Sequence, residues 1–413
     1  MASETTAPRP LEGIRTLEWG AFHAGPGALA ILGDLGAEVI KIEQPNVGDP
    51  IRRLARFGNV SVSKGGHSIF HEGANRHKKS IALDLAKPES KEVVGRLVSR
   101  CDIFLTNFRP KAVETLGMTY PILREFNPRL IYASISAYGP KGPDSQQGAF
   151  DFLGQARSGM MWCMGEPGMP PLISQFGLID QVTAITASHA LLTALFVRER
   201  TGIGQELKLS ILSSAMFLQY FNVLNALIMQ QEVPRHDRKS TDPLRNYYQC
   251  QDGRWICITL AHHPWNWKEF CAAIGHEELE NDSRFENREK IMDHCEDLID
   301  LLDSIFATRK QGEWLDSLSE HDIFSAPVNT SLALSQDPQA LENQYVINSD
   351  HRFFGNIMVP GYPVNFSRTP ADPRGPAPML GEHTVEVLRE IGGCSDDEID
   401  RLRKSQVIQT QEL

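Results

Sequence analysis

One carboxylate in this 413-residue chain stands apart from the ordinary charged surface. In Gly148-Ala149-Phe150-Asp151-Phe152-Leu153-Gly154, Asp151 sits among apolar and small residues, after a turn-forming stretch (139–148) and at the head of a predicted helix. Two chemistries suit it. As a helix N-cap it would accept hydrogen bonds from backbone N–H groups two or three residues on. As a nucleophile it would attack an activated carbonyl and form a covalent intermediate. The segment alone leaves both open.

A second kind of chemistry is offered by basic side chains. Arg76, His77, Lys78 and Lys79 run into the alternating pattern Ile81-Ala82-Leu83-Asp84-Leu85, and Arg109 follows a strand pattern at 102–106 in Asn107-Phe108-Arg109-Pro110. Such residues often form only a solvated face. At the mouth of a parallel sheet, their guanidinium forks and ammonium charges would clamp phosphates. With a formal charge of -11, the chain is not a general nucleic-acid binder, and any anionic ligand must be held by a local cluster of this kind.

The composition, 41% hydrophobic and 23% charged, is that of a soluble globular protein. Cys101, Cys163, Cys250, Cys257, Cys271, Cys295 and Cys394 include no C-x-x-C pair and no metal-ligand spacing, so free thiols in a reducing cytosol are expected. His262 and His263 are adjacent and point differently in any regular element, which argues against a shared metal site. Residues 1–10 lack a basic region followed by an apolar core, and the apolar run 183–197 carries Ser188 and His189 and is short for a bilayer. A cytoplasmic protein without membrane or nucleic-acid partners is expected.

The elements that must position these groups begin with strand 14–19, helix 26–35 and strand 38–43, a β-α-β unit that implies a parallel, doubly wound sheet. The turn Gly25-Pro26-Gly27 has Ala30 where the third glycine of G-x-G-x-x-G belongs, which argues against a nicotinamide dinucleotide site and an oxidoreductase. Strand 130–135 then delivers the chain through the loop Ser136-Ala137-Tyr138-Gly139-Pro140 toward Asp151. Helix 181–200, strand 206–210 and one long apolar helix, 211–229, follow. After a polar linker near 231–241, a hairpin (246–251 and 255–260) and helices near 265–274, 290–306 and 311–318 make a smaller α+β domain. The expected fold class is α/β: a Rossmann-like large domain (1–230), a small α+β domain with linkers (231–330) and a C-terminal segment (331–413) returning to the large domain.

The assembled pattern resembles a known family. Leu11-Glu12-Gly13-Ile14, Ala24-Gly25-Pro26, Leu35-Gly36-Ala37-Glu38-Val39-Ile40-Lys41-Ile42-Glu43, Asn75-Arg76-His77-Lys78-Lys79-Ser80, Asn107-Phe108-Arg109-Pro110, Asn127-Pro128-Arg129-Leu130-Ile131, Gly202-Ile203-Gly204-Gln205, Pro327-Val328-Asn329 and Gly381-Glu382-His383-Thr384 are singly weak and together specific. They resemble a family III CoA-transferase of the CaiB/BaiF type, the group that includes formyl-CoA and carnitine CoA-transferases. The resemblance implies two subunits threaded as interlocked rings, with the family's nucleophilic aspartate on Asp151. It implies that Phe22, His23 and Ala24 lie beside CoA, and that Lys78 and Arg109 help hold its nucleotide end, within the basic cluster that includes Arg76 and Lys79. Coenzyme A enters as the acyl-CoA substrate, the second substrate is a carboxylic acid, and no metal is required. The implied chemistry is a mixed anhydride, then an aspartyl-CoA thioester, then the reverse sequence onto an acceptor acid. Backbone N–H groups near Asp151 and in the 136–139 loop would stabilise the oxyanions.

Two departures bear on the acid. Residues 233–246 contain no glycine, where some transferases carry a glycine-rich loop, and His23 stands where formyl-CoA transferase has glutamine. His23, Arg157, Trp162 and Arg245 would suit a dicarboxylate or aryl-substituted acid, as in the aryl-succinate or malate branch, with succinyl-CoA as donor. An acyl-CoA racemase of the same fold is the rival activity. Those enzymes place a base His immediately before the matching Asp, and here that residue is Phe150. A further alternative is one subunit of a heteromeric transferase, such as a benzylsuccinate-type enzyme.

Overall fold

The computed structural model describes residues 8–260 and 266–411, so His262 and His263 lie outside the described residues. Runs such as Ile103-Phe104-Leu105 and Leu130-Ile131-Tyr132-Ala133 are apolar on both faces, which suits strands covered on both sides. They form a seven-stranded sheet from β1 (Arg15–Trp19), β2 (Glu38–Glu43), β3 (Lys78–Leu83), β4 (Ile103–Thr106), β5 (Ile131–Ser136), β6 (Glu206–Ser210) and β7 (Ile408–Gln409). Their order is β6-β5-β4-β1-β2-β3-β7, all parallel except β7, which pairs antiparallel with β3. The first six follow the doubly wound order in which the chain reverses direction between β1 and β4. Ligands in such sheets bind beyond the carboxyl ends of the strands at that point. Here the loops concerned are 20–23 after β1 and 107–109 after β4.

One face of the sheet packs Leu17, Ile40, Phe104 and Tyr132 into a core with Val94, Leu97 and Leu388. The other face packs Val39, Ile103 and Ile131 against α1 (Ala24–Asp34) and α3 (Leu178–Thr201). Small residues let these two helices approach: a Cβ built on Gly27 would lie 3.1 Å from the Ala184 Cβ. By length and composition α3 could cross a bilayer, but Ala184, Ala187, Leu191 and Ala194 are spent on this contact, as in a core helix.

Contacts divide the chain into two compact units. The large one comprises residues to Met161, Ile173–Gln231 and the chain from Pro338 onward. The small one comprises Trp162–Leu172 and Glu232–Asp337. In it the strands Arg245–Gln249, Trp255–Thr259 and Phe324–Pro327 form an antiparallel sheet, beside a core containing Phe270, Phe306 and Trp314.

Two expected elements differ. The single helix at 211–229 is broken into α4 (Ile211–Leu218) and α5 (Tyr220–Met229), bent by 81°. The break falls at Gln219 (φ -94°, ψ 31°), whose N–H and side-chain amide both donate to the Ala215 carbonyl, at 3.3 and 3.2 Å, while the amide also donates to the Ser158 carbonyl at 3.3 Å. The helix at 290–306 likewise divides at His294, into Arg288–Asp293 and Cys295–Phe306.

Candidate active site

The loop after β1 is held in a strained shape. Phe22 has φ +62°, a left-handed conformation uncommon for a bulky residue. Its N–H donates to Asp49 Oδ1 at 3.1 Å. Ala21 exchanges two hydrogen bonds with the Asn107 amide, 2.9 and 2.8 Å, which ties this loop to the one after β4. The approach is close enough to require glycine at position 20, where a Cβ would lie 2.7 Å from Asn107 Oδ1. So held, the Phe22 ring meets Phe150 edge-on, centroids 5.0 Å apart, beside the start of α2 (Asp151–Arg157).

Asp151 is the first residue of α2, whose N-cap is Phe150, and its carboxylate caps a different helix. Oδ2 accepts from the N–H groups of Ile179 (2.6 Å) and Asp180 (3.1 Å) in the first turn of α3, while Oδ1 accepts from Gln155 Nε2 at 2.5 Å. Gln155 is itself fixed by Ser174, through Nε2 to the carbonyl and Oε1 from the N–H. Both oxygens of Asp151 are thus engaged.

The same geometry brings a second carboxylate to the site. Asp180 is half-buried, and burial first, then the charge of Asp151, pushes its carboxyl up to about 7. The next residue, Gln181, pairs through Oε1 with His23 Nε2 at 2.6 Å. Burial pushes the His23 imidazole below its ordinary range, against the Gln181 hydrogen bond. The loop after β1 and the N-termini of α2 and α3 therefore converge on two carboxylates in unlike environments, beside the crevice that the sheet order marks out.

Comparison with known proteins decides the class to which this arrangement belongs, since the family described as CoA-transferase family III matches residues 11–384. The chain belongs to CoA-transferase family III. This transferase is 30% identical over 399 residues to (R)-2-hydroxy-4-methylpentanoate CoA-transferase of Clostridioides difficile, covering 96% of this chain and 99% of that one. It is 30% identical over 406 residues to succinyl-CoA:glutarate CoA-transferase of Homo sapiens, covering 98% and 91%. A CAIB/BAIF family protein from Brucella suis superposes with a TM-score of 0.83 at 27% identity, covering 93% of this chain and 100% of that one.

The basic residues singled out in the transferase sequence occupy very different places. Lys78 is buried in the sheet with its side chain 0% exposed, donating to Glu18 Oε2 (2.5 Å), the Pro26 carbonyl (2.8 Å) and Asn75 Oδ1 (3.1 Å). Burial pushes its ammonium down to about 7 against the pull of Glu18. The next residue in the strand, Lys79, faces the opposite side and is paired with Glu38 (2.9 Å) and Glu386 (2.7 Å). Arg76 forks onto Asp34 with bonds of 2.7 and 2.6 Å. Arg109 is different: it is exposed, and its guanidinium lies against the backbone of Gly148, where a Cβ would come within 2.6 Å of Nε. Arg157 is paired with Asp144 at 2.6 Å and stacks on Tyr138. Trp162 and Arg245 belong to the small unit, where Trp162 lies under Arg235. In the 136–139 loop the Gly139 N–H is taken by Ser136 Oγ at 3.1 Å.

A cavity of about 400 Å³ lies beside the Asn107–Pro110 turn, lined by Phe108, Pro110, Tyr132, Ser136 and Lys208; neither carboxylate lines it. Among the described residues no group of His, Cys, Asp and Glu is placed to hold a metal ion. Sequence reasoning passed over Asp180 because an acidic residue in the first turn of a long apolar helix reads as a complement to the helix dipole. The available signal was its isolation in Gly177-Leu178-Ile179-Asp180, the same kind of signal that singled out Asp151.

Proposed function

We propose that this transferase moves CoA from an acyl-CoA donor to a carboxylic acid through an aspartyl-CoA thioester formed at the Asp151–Asp180 pair, and that Asp180 is the attacking carboxylate. The observation that carries the assignment is the division of labour within the pair. Asp151, the residue the sequence favoured, spends both oxygens on Gln155 and on the first turn of α3. Asp180 is partly desolvated and raised to about 7, and a more basic carboxylate, once ionised, is a more reactive nucleophile than an ordinary one.

The carboxylate oxygen attacks the thioester carbon, the C–S bond breaks, and CoA leaves as thiolate with a mixed anhydride on the enzyme. The thiolate then attacks the aspartyl carbon of the anhydride and expels the donor acid. The acceptor carboxylate repeats both steps in reverse and regenerates the aspartate, with no net proton taken or released. Holding the reactants in one crevice supplies the effective concentration such exchanges need. In this reading Phe22, His23 and Ala24 flank the thioester, and Arg109, the exposed cation at the switch point, takes a CoA phosphate. A dicarboxylate such as succinate, given by succinyl-CoA, is the acid we favour, with the polar His23–Gln181 pair next to the carboxylates as its neighbour.

The large apolar exposure of α4 and α5, with Phe217 72%, Phe221 82% and Ile228 68% exposed, supports assembly as an interlocked dimer with a second copy covering this face. The seven free thiols suit the reducing cytoplasm. The deciding experiment is intact mass after incubation with succinyl-CoA, followed by peptide mapping. A CoA adduct removed by hydroxylamine and located on Asp180 is expected. Location on Asp151 would return the nucleophile to that residue, and no adduct with any of a panel of acyl-CoA thioesters would remove the covalent mechanism.

A further inference from the structure

Four charged groups lie wholly inside the large unit, directly beneath the loop after β1. Glu18 and Lys41 are partners in register on β1 and β2, and Lys78 sits opposite Val39, two residues before Lys41 on the same face. All three side chains, with Asp49, are 0% exposed. Glu18 bridges the two lysines, 2.5 Å to Lys41 Nζ and 2.5 Å to Lys78 Nζ, and Lys41 also reaches Asp49 Oδ2 at 3.0 Å. Two carboxylates and two ammonium groups have formal charges that cancel. Even so, a buried set of this kind is seldom favoured over well-packed apolar residues for stability alone.

What the set does locally is hold backbone. Lys41 Nζ donates to the Gly20 carbonyl at 3.0 Å, Lys78 Nζ donates to the Pro26 carbonyl at 2.8 Å, and Asp49 accepts the Phe22 N–H at 3.1 Å. These contacts grip both ends and the strained middle of the segment that carries Phe22 and His23. We propose that the buried quartet Glu18, Lys41, Asp49 and Lys78 is a positioning device, which fixes the loop at 20–26 so that Phe22 and His23 face the reacting carboxylates, with Lys78 acting from beneath the loop and never touching CoA. The inference rests on the proposed reading of the site and replaces direct phosphate contact by Lys78 with an indirect role.

The two roles separate with a donor that lacks the nucleotide. The rate of first adduct formation is measured by mass with succinyl-CoA and with succinyl-pantetheine, in wild type, in Lys78→Met and in Arg109→Ala. Positioning predicts that Lys78→Met is slowed by the same factor with both donors, about tenfold or more, as expected when a reacting group is slightly misplaced. Loss with succinyl-CoA only, the pattern expected of Arg109→Ala, overturns the proposal in favour of phosphate contact. So does a folded Lys78→Met enzyme with wild-type rates for both donors. Should Lys78→Met fail to fold, Asp49→Asn, which keeps the side-chain shape and removes the charge facing Lys41, carries the same comparison with the same outcomes. If wild type forms no adduct with either donor, the reading of the site itself falls and takes the positioning role with it; normal adduct in wild type with an unslowed variant removes only the latter.

Discussion

Asp151 and Asp180 meet at one helix N-terminus, and what distinguishes them is their partners. Asp151 accepts three hydrogen bonds, while burial and the neighbouring charge raise Asp180 to about 7. If Asp180 attacks as the anion, kcat/KM should rise with pH with unit slope and level off above about 7, and a flat profile from pH 5.5 to 8 would contradict that role. The same shift has a stability consequence of definite sign. The folded protein holds this proton more tightly than the unfolded chain, so the group's contribution is fully present below the ordinary carboxylate range and is lost as pH rises through about 7. Asp180→Asn should therefore raise the melting temperature at pH 8 and change it little at pH 4, as thermal unfolding at the two pH values will show. Arg109 makes a separate prediction. Its replacement by Ala should weaken CoA binding by about 1.5 to 3 kcal/mol, the range for a hydrogen bond to a charged group, and unchanged affinity in calorimetry would remove it from the site.

At the level of elements, the sequence periodicity located the opening β-α-β unit and the strands around it, because their apolar runs have the length and flanking turns of buried strands. Charges in the middle of such strands carried more information than the basic cluster at 76–79. Glu18 and Lys41 lie in strands covered on both faces, where an ionised side chain survives only with a partner, and the register of β1 and β2 supplies it. The break between α4 and α5 was not legible, since Gln219 fits a helical pattern and meets the Ser158 carbonyl only in the folded chain. Helix α2 is set by close approach. A Cβ on Gly154 would lie 2.4 Å from Ile211 Cγ2, a stiff β-branched side chain. Gly154→Ala should cost about 1 to 3 kcal/mol of stability, as overpacking does, and should lower turnover by displacing the helix that begins at Asp151. Denaturant unfolding paired with steady-state kinetics tests both parts.

For the whole molecule, the proposed dimer rests on the apolar surface of α4 and α5, where Leu218, Tyr220, Leu227 and Met229 are exposed beside Phe217 and Phe221. In such a dimer, removing this area from water would make association part of folding. Sedimentation at nanomolar concentration should find no folded, active monomer, and finding one would contradict an obligate dimer. The sequence by itself determined the α/β class, the family and the turns that flank the site, because period, turn chemistry and motif spacing are local properties that survive without contacts. Only the tertiary structure decided which charges are free to act. Lys78, Lys79 and Arg109 look alike along the chain, yet strand register buries the first on Glu18, pairs the second with Glu38 and leaves the third at the surface. Asp151 and Asp180, 29 residues apart, become neighbours only when α2 packs against the N-terminus of α3. The physical reason is the same in both cases: the electrostatic character of a side chain is set by burial and by the partners within a few ångströms, and those are chosen by packing.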